Sequence, residues 1–355
     1  MRKISLYFCA AIALLIALVA SASTRAQTIT PVMTQLDSPR GLAWGPEGSL
    51  YVTEAGNGQL GGPCAPVARG TNCYSASGAV SRLWKGHQER VVTGLPSVFN
   101  PTTLDITGPH DISFKGRGGA YVTIGWGGAP AARSGLGDLG SLFGSLLKVE
   151  PSGSWNVLTD VSAFEAENNP AGGPLDSNPY GVLAEPGGQF ITDAGGNCLL
   201  HRKTNGDLSL VAVFPPQPAP PPRNTAEAVP TEVERGPDGA LYVSLLTGVP
   251  FTAGAALIYR VAPGEALQVY ASGFKTITDF TFGPDGSLYV IEYASAPTFF
   301  GGPGKLIRVA PDGTRTTITA ALNHPTGVLV GNDGAIYVSN NGNLPAVGEV
   351  LRIEP

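Results

Sequence analysis

Residues 276–292 read TITDFTFGPDGSLYVIE, and the fold turns on how that stretch is read. Apolar and polar residues alternate on either side of Gly283-Pro-Asp-Gly, which is the period of two that a half-buried strand needs. Pro284 presets its own φ and Gly286 accepts the positive φ of a tight turn, so the stretch is a β-hairpin. Its second strand is written aromatic, valine, apolar, acid in Tyr289-Val-Ile-Glu.

Five more stretches follow the same pattern. They are SPRGLAWGPEGSLYVTE from Ser38, GPHDISFKGRGGAYVTI from Gly108, NPYGVLAEPGGQFITD from Asn178, VPTEVERGPDGALYVSL from Val229 and HPTGVLVGNDGAIYVSN from His324. The recurring aromatics are Tyr51, Tyr121, Phe190, Tyr242, Tyr289 and Tyr337, spaced as blade-length units with insertions early in the chain. A third strand follows in most copies, at residues 80–83, 146–149, 257–261 and 306–309, and then a fourth, as at residues 315–318. Four strands per repeat is the unit of a β-propeller. The sixth copy stops after its third strand, while residues 28–36 stand before the first copy where residues 316–322 stand before the sixth. The expectation is an all-β, six-bladed β-propeller over residues 27–355, a single domain whose N-terminal strand completes the last blade and closes the ring.

Composition agrees with this reading. The chain has 48 Gly, 31 Pro, 43% hydrophobic and 14% charged residues, which suits short strands joined by turns and not disorder. Residues 1–26 read as a signal peptide: Arg2 and Lys3 precede an apolar run over residues 4–20, and Thr24-Arg25-Ala26 ends on a small residue. The expected location is secreted or periplasmic, with no membrane span in the mature form. In that oxidising setting Cys64 and Cys73 pair as a local disulfide and Cys198 is left as a buried thiol. With 22 basic against 27 acidic residues, and Arg2, Lys3 and Arg25 lost with the leader, nucleic acid is not a partner.

Propeller connectivity puts the hairpin turns on one face, and the insertions at residues 55–78, 125–144, 165–177 and 215–228 on the other, where function is expected. On that face the first strands offer Arg40, His110, Asp111, Tyr180, Thr231, Glu232, Thr278, Asp279 and Thr326, and the second strands end with Glu54, Asp193, Glu292 and Asn340. The candidate ligand-binding set is Arg40, Glu54, His110, Tyr180, Glu232, Asp279 and Glu292. Asp111, Asp193, Glu232, Asp279 and Asn340 could supply oxygen ligands to Ca²⁺, and acids recurring at strand ends suit capping equally well. His110 and Asp111 are the catalytic candidates, as a base and its orienting carboxylate, although strand neighbours point to opposite faces. No Gly-x-Ser-x-Gly elbow, phosphate-cradling loop or His-Glu-x-x-His motif is present.

Several loops carry a resemblance. Gly108-Pro-His-Asp-Ile, Tyr121-Val-Thr-Ile-Gly, Asn169-Pro-Ala-Gly-Gly-Pro, Asp176-Ser-Asn-Pro-Tyr-Gly, Thr192-Asp-Ala-Gly-Gly-Asn, Val229-Pro-Thr and Leu246-Thr-Gly-Val-Pro-Phe are similar to the ScyD/ScyE family, exported propellers related to NHL-repeat and SMP-30/gluconolactonase-like propellers. The resemblance implies an exported protein and names no substrate. The chain departs from the family pattern at Leu245, commonly acidic there, and at Cys198, commonly polar. Two functions stay open: a non-enzymatic scaffold presenting its loop-rich face to a small molecule or another exported protein, or a Ca²⁺-dependent lactonase-like hydrolase with the metal in the channel.

Overall fold

A computed structural model describes residues 27–296 and 300–354, so the leader at residues 1–26 lies outside the described residues. Within them six antiparallel sheets form the blades. Blades 2 to 5 take four strands each in chain order: Pro109–Phe114 to Trp155–Asp160, Pro179–Glu185 to Leu208–Val213, Pro230–Arg235 to Gln268–Phe274, and Ile277–Phe282 to Arg315–Leu322. Blade 6 draws on both ends of the chain, with Gly327–Val330, Ile336–Asn340 and Gly348–Glu354 followed by Thr28–Leu36. That last strand runs antiparallel to its neighbour, from Thr28 opposite Glu354 to Leu36 opposite Gly348. The expected closure is present, and Met33 and Leu36 hold it by burial beside Leu42, Leu50, Val52 and Val350.

The recurring aromatic of each second strand has a packing reason. It reaches across to the end of the next blade's first strand: Tyr51 lies 4.7 Å from Phe114, Tyr242 5.0 Å from Phe282 and Tyr337 5.2 Å from Trp44, centroid to centroid. Phe190 instead lies under the Arg235 guanidinium. Apolar clusters therefore sit between blades, and each blade buries its faces against two neighbours.

Blade 1 departs from the sequence reading. Residues 55–78, expected as loop, contain Cys64–Val67 and part of the strand Gly70–Trp84, which pairs with His87–Asn100 well beyond the blade. The Ser- and Gly-rich run around Tyr74 hides that strand, because it lacks the β-branched alternation that marks the others. Cys64 stands opposite Cys73 in the added pairing and the two form the expected disulfide, with Cα atoms 4.0 Å apart. Removing the closing anchor tests the ring: Met33→Ala should cost about 2–5 kcal/mol in urea unfolding. A loss well under about 1 kcal/mol would show that the N-terminal strand does not seal it.

Candidate functional site

Each blade's first strand lines the central channel and is also the free edge of its sheet. In blades 1 to 5 its pairing with the second strand is irregular just after the start, between Pro39 and Leu42, Pro109 and Ile112, Pro179 and Val182, Pro230 and Val233, and Ile277 and Asp279. Main-chain groups turned out by these bulges must find other partners. Second-strand hydroxyls supply them. Thr192 Oγ1 accepts the Gly181 N–H at 2.8 Å and donates to the Thr231 carbonyl of the next blade at 2.5 Å. Thr123 does the same between Asp111 N–H and the Tyr180 carbonyl. Thr53 donates to the His110 carbonyl at 3.0 Å and Ser339 to that of Arg40 at 2.7 Å. First-strand hydroxyls span the remaining interfaces, Thr231 to Ile277 at 3.1 Å and Thr278 to Pro325 at 2.9 Å.

Carboxyls complete the belt from the acceptor side. Val182 N–H donates to Asp111 Oδ2 at 2.8 Å, Val328 N–H to Asp279 Oδ2 at 2.7 Å and Phe282 N–H to Glu234 Oε2 at 3.1 Å, each across a blade boundary. Glu232 Oε1 accepts its neighbour's Val233 N–H at 2.9 Å. Each repeat carries either an acid or a glycine here, and the glycines have a steric reason. A Cβ on Gly41 would lie 2.1 Å from Asp111 Oδ1, and one on Gly181 would lie 2.4 Å from the Thr231 carbonyl oxygen.

The acids that end the second strands have a different duty. Glu54, with no exposed surface, accepts the Asp37 N–H and the Ser81 hydroxyl, both at 2.6 Å, and pairs with Arg90. Asp193 accepts from Asn178, Gly195 and Gly196 N–H and from the Ser177 hydroxyl. Glu292 takes the Lys275 N–H at 2.8 Å, and Asn340 the Asn323 N–H at 2.7 Å. All four clamp the segment that leads into the first strand, which is the capping role. Blade 4 shows what happens without the acid. Leu245 is buried in the apolar cluster with Val233 and Val243, and Asn197 of blade 3 accepts the Val229 N–H at 3.0 Å instead. Cys198 is fully buried, and burial pushes its thiol well above the ordinary range, so it is not a reactive thiolate.

Between the belt and the turn face lies a cavity of about 210 Å³, lined by Asp111, Glu232, Glu234 and Asp279 with Leu42, Trp44, Phe114 and Leu329. The sequence reading had left that face bare. Burial raises all four carboxyls, Asp111 and Glu234 to about 7, with Glu232 and Asp279 pushed further by their neighbours' charge. As a Ca²⁺ site the channel does not fit: its acids hold main-chain N–H groups, and no three His, Cys, Asp or Glu side chains among the described residues form an ion-holding group. Asp193 and Asn340 belong to the clamps and stay apart from the channel acids.

The loop-side mouth is built differently. His110, 4% exposed, stacks on Tyr180 with ring centroids 4.6 Å apart, and its Nδ1 lies 3.0 Å from the Pro179 carbonyl. A carbonyl only accepts, so Nδ1 carries the proton. Burial, and then the Arg40 charge, lower the imidazole to about 3. Asp111 does not orient His110, since its carboxyl serves Val182 across the strand; the suspected catalytic pair is therefore not assembled. Arg40 donates through one nitrogen to the Ile106 carbonyl at 2.9 Å, while its Nε is buried without a partner. Its charge also acts on Tyr180 and Tyr293, whose hydroxyls burial raises, that of Tyr293 to about 12. Tyr293 in turn packs on His324 at 4.6 Å.

Sequence reasoning names Thr231, Thr278 and Thr326 of the belt but misses Tyr293, Glu234 and the second-strand hydroxyls. Their signal was there to read: Thr53, Thr123, Thr192, Ser244 and Ser339 all follow the valine or isoleucine of the repeat.

Three solved propellers resemble the chain in fold. One is a catalytically inactive histidine-to-alanine form of virginiamycin B lyase from Staphylococcus aureus with quinupristin, at TM-score 0.51 and 14% identity over 93% of this chain and 99% of that one. Another is a gluconolactonase from Xanthomonas campestris, at 0.50 and 11% over 92% and 89%. The third is a glucose dehydrogenase, at 0.54 and 14% over 92% and 99%. At these identities the likeness shows the fold alone. No protein-family model matches the chain, and no curated protein does.

Two outcomes follow. Thr192→Val removes a donor and an acceptor together and should cost about 1–3 kcal/mol, read by urea unfolding, whereas an unchanged midpoint would deny the belt its role. Carboxyls raised in the folded state stabilise fully at pH below their unfolded range, and that stability is lost as pH climbs through the folded values. Urea midpoints should therefore fall as pH rises from about 4 to about 7, and less steeply in Glu234→Gln. A flat or rising profile in that window contradicts the assignment.

Proposed function

We propose that this chain is an exported, non-enzymatic binding protein of the ScyD/ScyE type that takes a small planar carboxylate at the loop-side mouth of its channel. The observation that carries the reading is Arg40. Its guanidinium sits at the mouth with no carboxylate partner, and its buried Nε with no partner, among the described residues, beside the rings of His110, Tyr180 and Tyr293. A guanidinium offers a planar fork to a carboxylate, and an unpaired buried donor is costly until an acceptor arrives. Stacked rings give such a ligand a flat wall. Of the groups that feel the Arg40 charge, His110 is held neutral far below neutral pH and the tyrosine hydroxyls are pushed far above it, so none of these three is poised for proton transfer there.

Export rests on the basic and apolar composition of residues 1–26 and agrees with the Cys64–Cys73 disulfide. No helix among the described residues is long and apolar enough to cross a membrane. The lactonase-like alternative lacks a supporting observation here, since the channel acids do not fit Ca²⁺.

Saturation-transfer NMR on the mature chain, with benzoate and its neutral isostere benzamide as probes, tests this reading. Benzoate should bind and benzamide should not, and Arg40→Gln should weaken benzoate roughly tenfold or more. Equal binding of the two probes, benzoate binding untouched by Arg40→Gln, or turnover of gluconolactone by the chain would overturn it.

A further inference from the structure

The insertion at residues 215–228 carries prolines at 215, 216, 218 and 220–222, which remove most of its main-chain donors. It still folds as a small hairpin of its own, with Gln217 opposite Ala226 and Pro218 opposite Thr225. The Ala219 N–H closes it on the Asn224 carbonyl at 2.9 Å. The loop that leaves the second strand of blade 4 is laced to the foot of this hairpin. Leu246, Thr247 and Gly248 N–H donate to the carbonyls of Val229, Ala228 and Glu227 at 2.9, 3.1 and 2.8 Å. These bonds hold Thr247 in the left-handed region, φ 72°, which a β-branched residue adopts only under constraint. A turn follows, closed by the Ala255 N–H on the Thr252 carbonyl at 3.1 Å.

Between hairpin and turn lies a cleft of about 460 Å³, lined by Gln217, Pro218, Thr252, Ala253, Ala255 and Leu257. That is the size of a small-molecule site. No charged side chain lines it, so an occupant with a charge would lose its water and gain no partner.

Two polar groups interrupt the apolar wall. Gln217 is only 3% exposed, and its Nε2 donates to the Pro215 carbonyl at 2.6 Å. A carbonyl only accepts, so this bond fixes which way the side-chain amide points. Its Oε1 then accepts from no group among the described residues. Thr252 Oγ1 is buried and likewise without a partner. Each unmade bond is costly, and a ligand that donates to one group and accepts from the other removes both costs.

We propose that this cleft binds a small neutral lactam. A ring amide is held cis, so its N–H and C=O lie on one edge, the first to donate to Gln217 Oε1 and the second to accept from the Thr252 hydroxyl. The ring carbons then lie on Pro218, Ala255 and Leu257. Because the walls are tied to each other before the ligand arrives, little ordering opposes binding. None of the lining residues belongs to the Arg40 mouth, so the two sites are independent.

Saturation-transfer NMR on the mature chain with ε-caprolactam and N-methylcaprolactam tests it. Caprolactam should bind with a Kd of about a millimolar or tighter, and the N-methyl compound, which has no donor, roughly tenfold more weakly. Thr252→Val and Gln217→Leu should each weaken caprolactam roughly fivefold or more, and excess benzoate should not displace it. If Gln217→Leu fails to fold, Thr252→Val and the pair of probes decide. No binding of caprolactam, equal binding of the two lactams, binding kept in Thr252→Val, or displacement by benzoate would overturn the proposal.

Discussion

The structure depends on how a propeller satisfies the inner edge of each blade. A sheet that ends at the channel presents main-chain N–H and C=O groups to neither water nor its own blade, and each left unpaired would be costly. In blades 1 to 5 the irregularity near the start of the first strand turns those groups toward the adjoining blade, where a hydroxyl or a carboxyl meets them. Thr192 is the plainest case, holding its own blade's Gly181 N–H and the next blade's Thr231 carbonyl with one oxygen. The belt joins all six blades, since Thr326 and Ser339 hand on from blade 6 to Pro39 and Arg40 of blade 1.

That belt decides which polar residues remain free for function. Asp111 and Asp279 look like ligands in the sequence because they are acids at a channel, yet each bridges two blades, as Glu234 does. Glu54, Asp193, Glu292 and Asn340 look like a ring of ligands because they recur, and they recur because four blades clamp their entry segments this way. Arg40 stands out by contrast, with one main-chain bond and no acidic partner among the described residues.

The fold was legible in the sequence because it repeats. One hairpin is weak, but six copies with a strand missing at one end and present at the other leave little choice of architecture, and the pairing of Thr28–Leu36 with Gly348–Glu354 follows from it. The site was less legible because repetition marks structure and function alike. Acid or glycine at the position of Asp111 and Gly41 is set by the space facing it in the next blade, which a one-dimensional reading lacks. Ile106 meets Arg40 from a late strand of its own extended sheet and Tyr293 lies within reach of its charge from blade 5, and no local pattern announces that meeting. The hydroxyl after the repeat valine was visible and lacked only its reason.

Both faces of the ring therefore carry polar chemistry, in opposite states. On the turn side the carboxyls, raised by burial, brace the channel around a cavity. On the loop side a cation waits among rings. A crystal structure of the mature protein grown with benzoate separates the two most directly. The account predicts density for the carboxylate on the Arg40 guanidinium, with the ring beside His110 and Tyr180. Benzoate in the turn-side cavity instead, or an Arg40 found paired with a carboxylate of the chain, would contradict it.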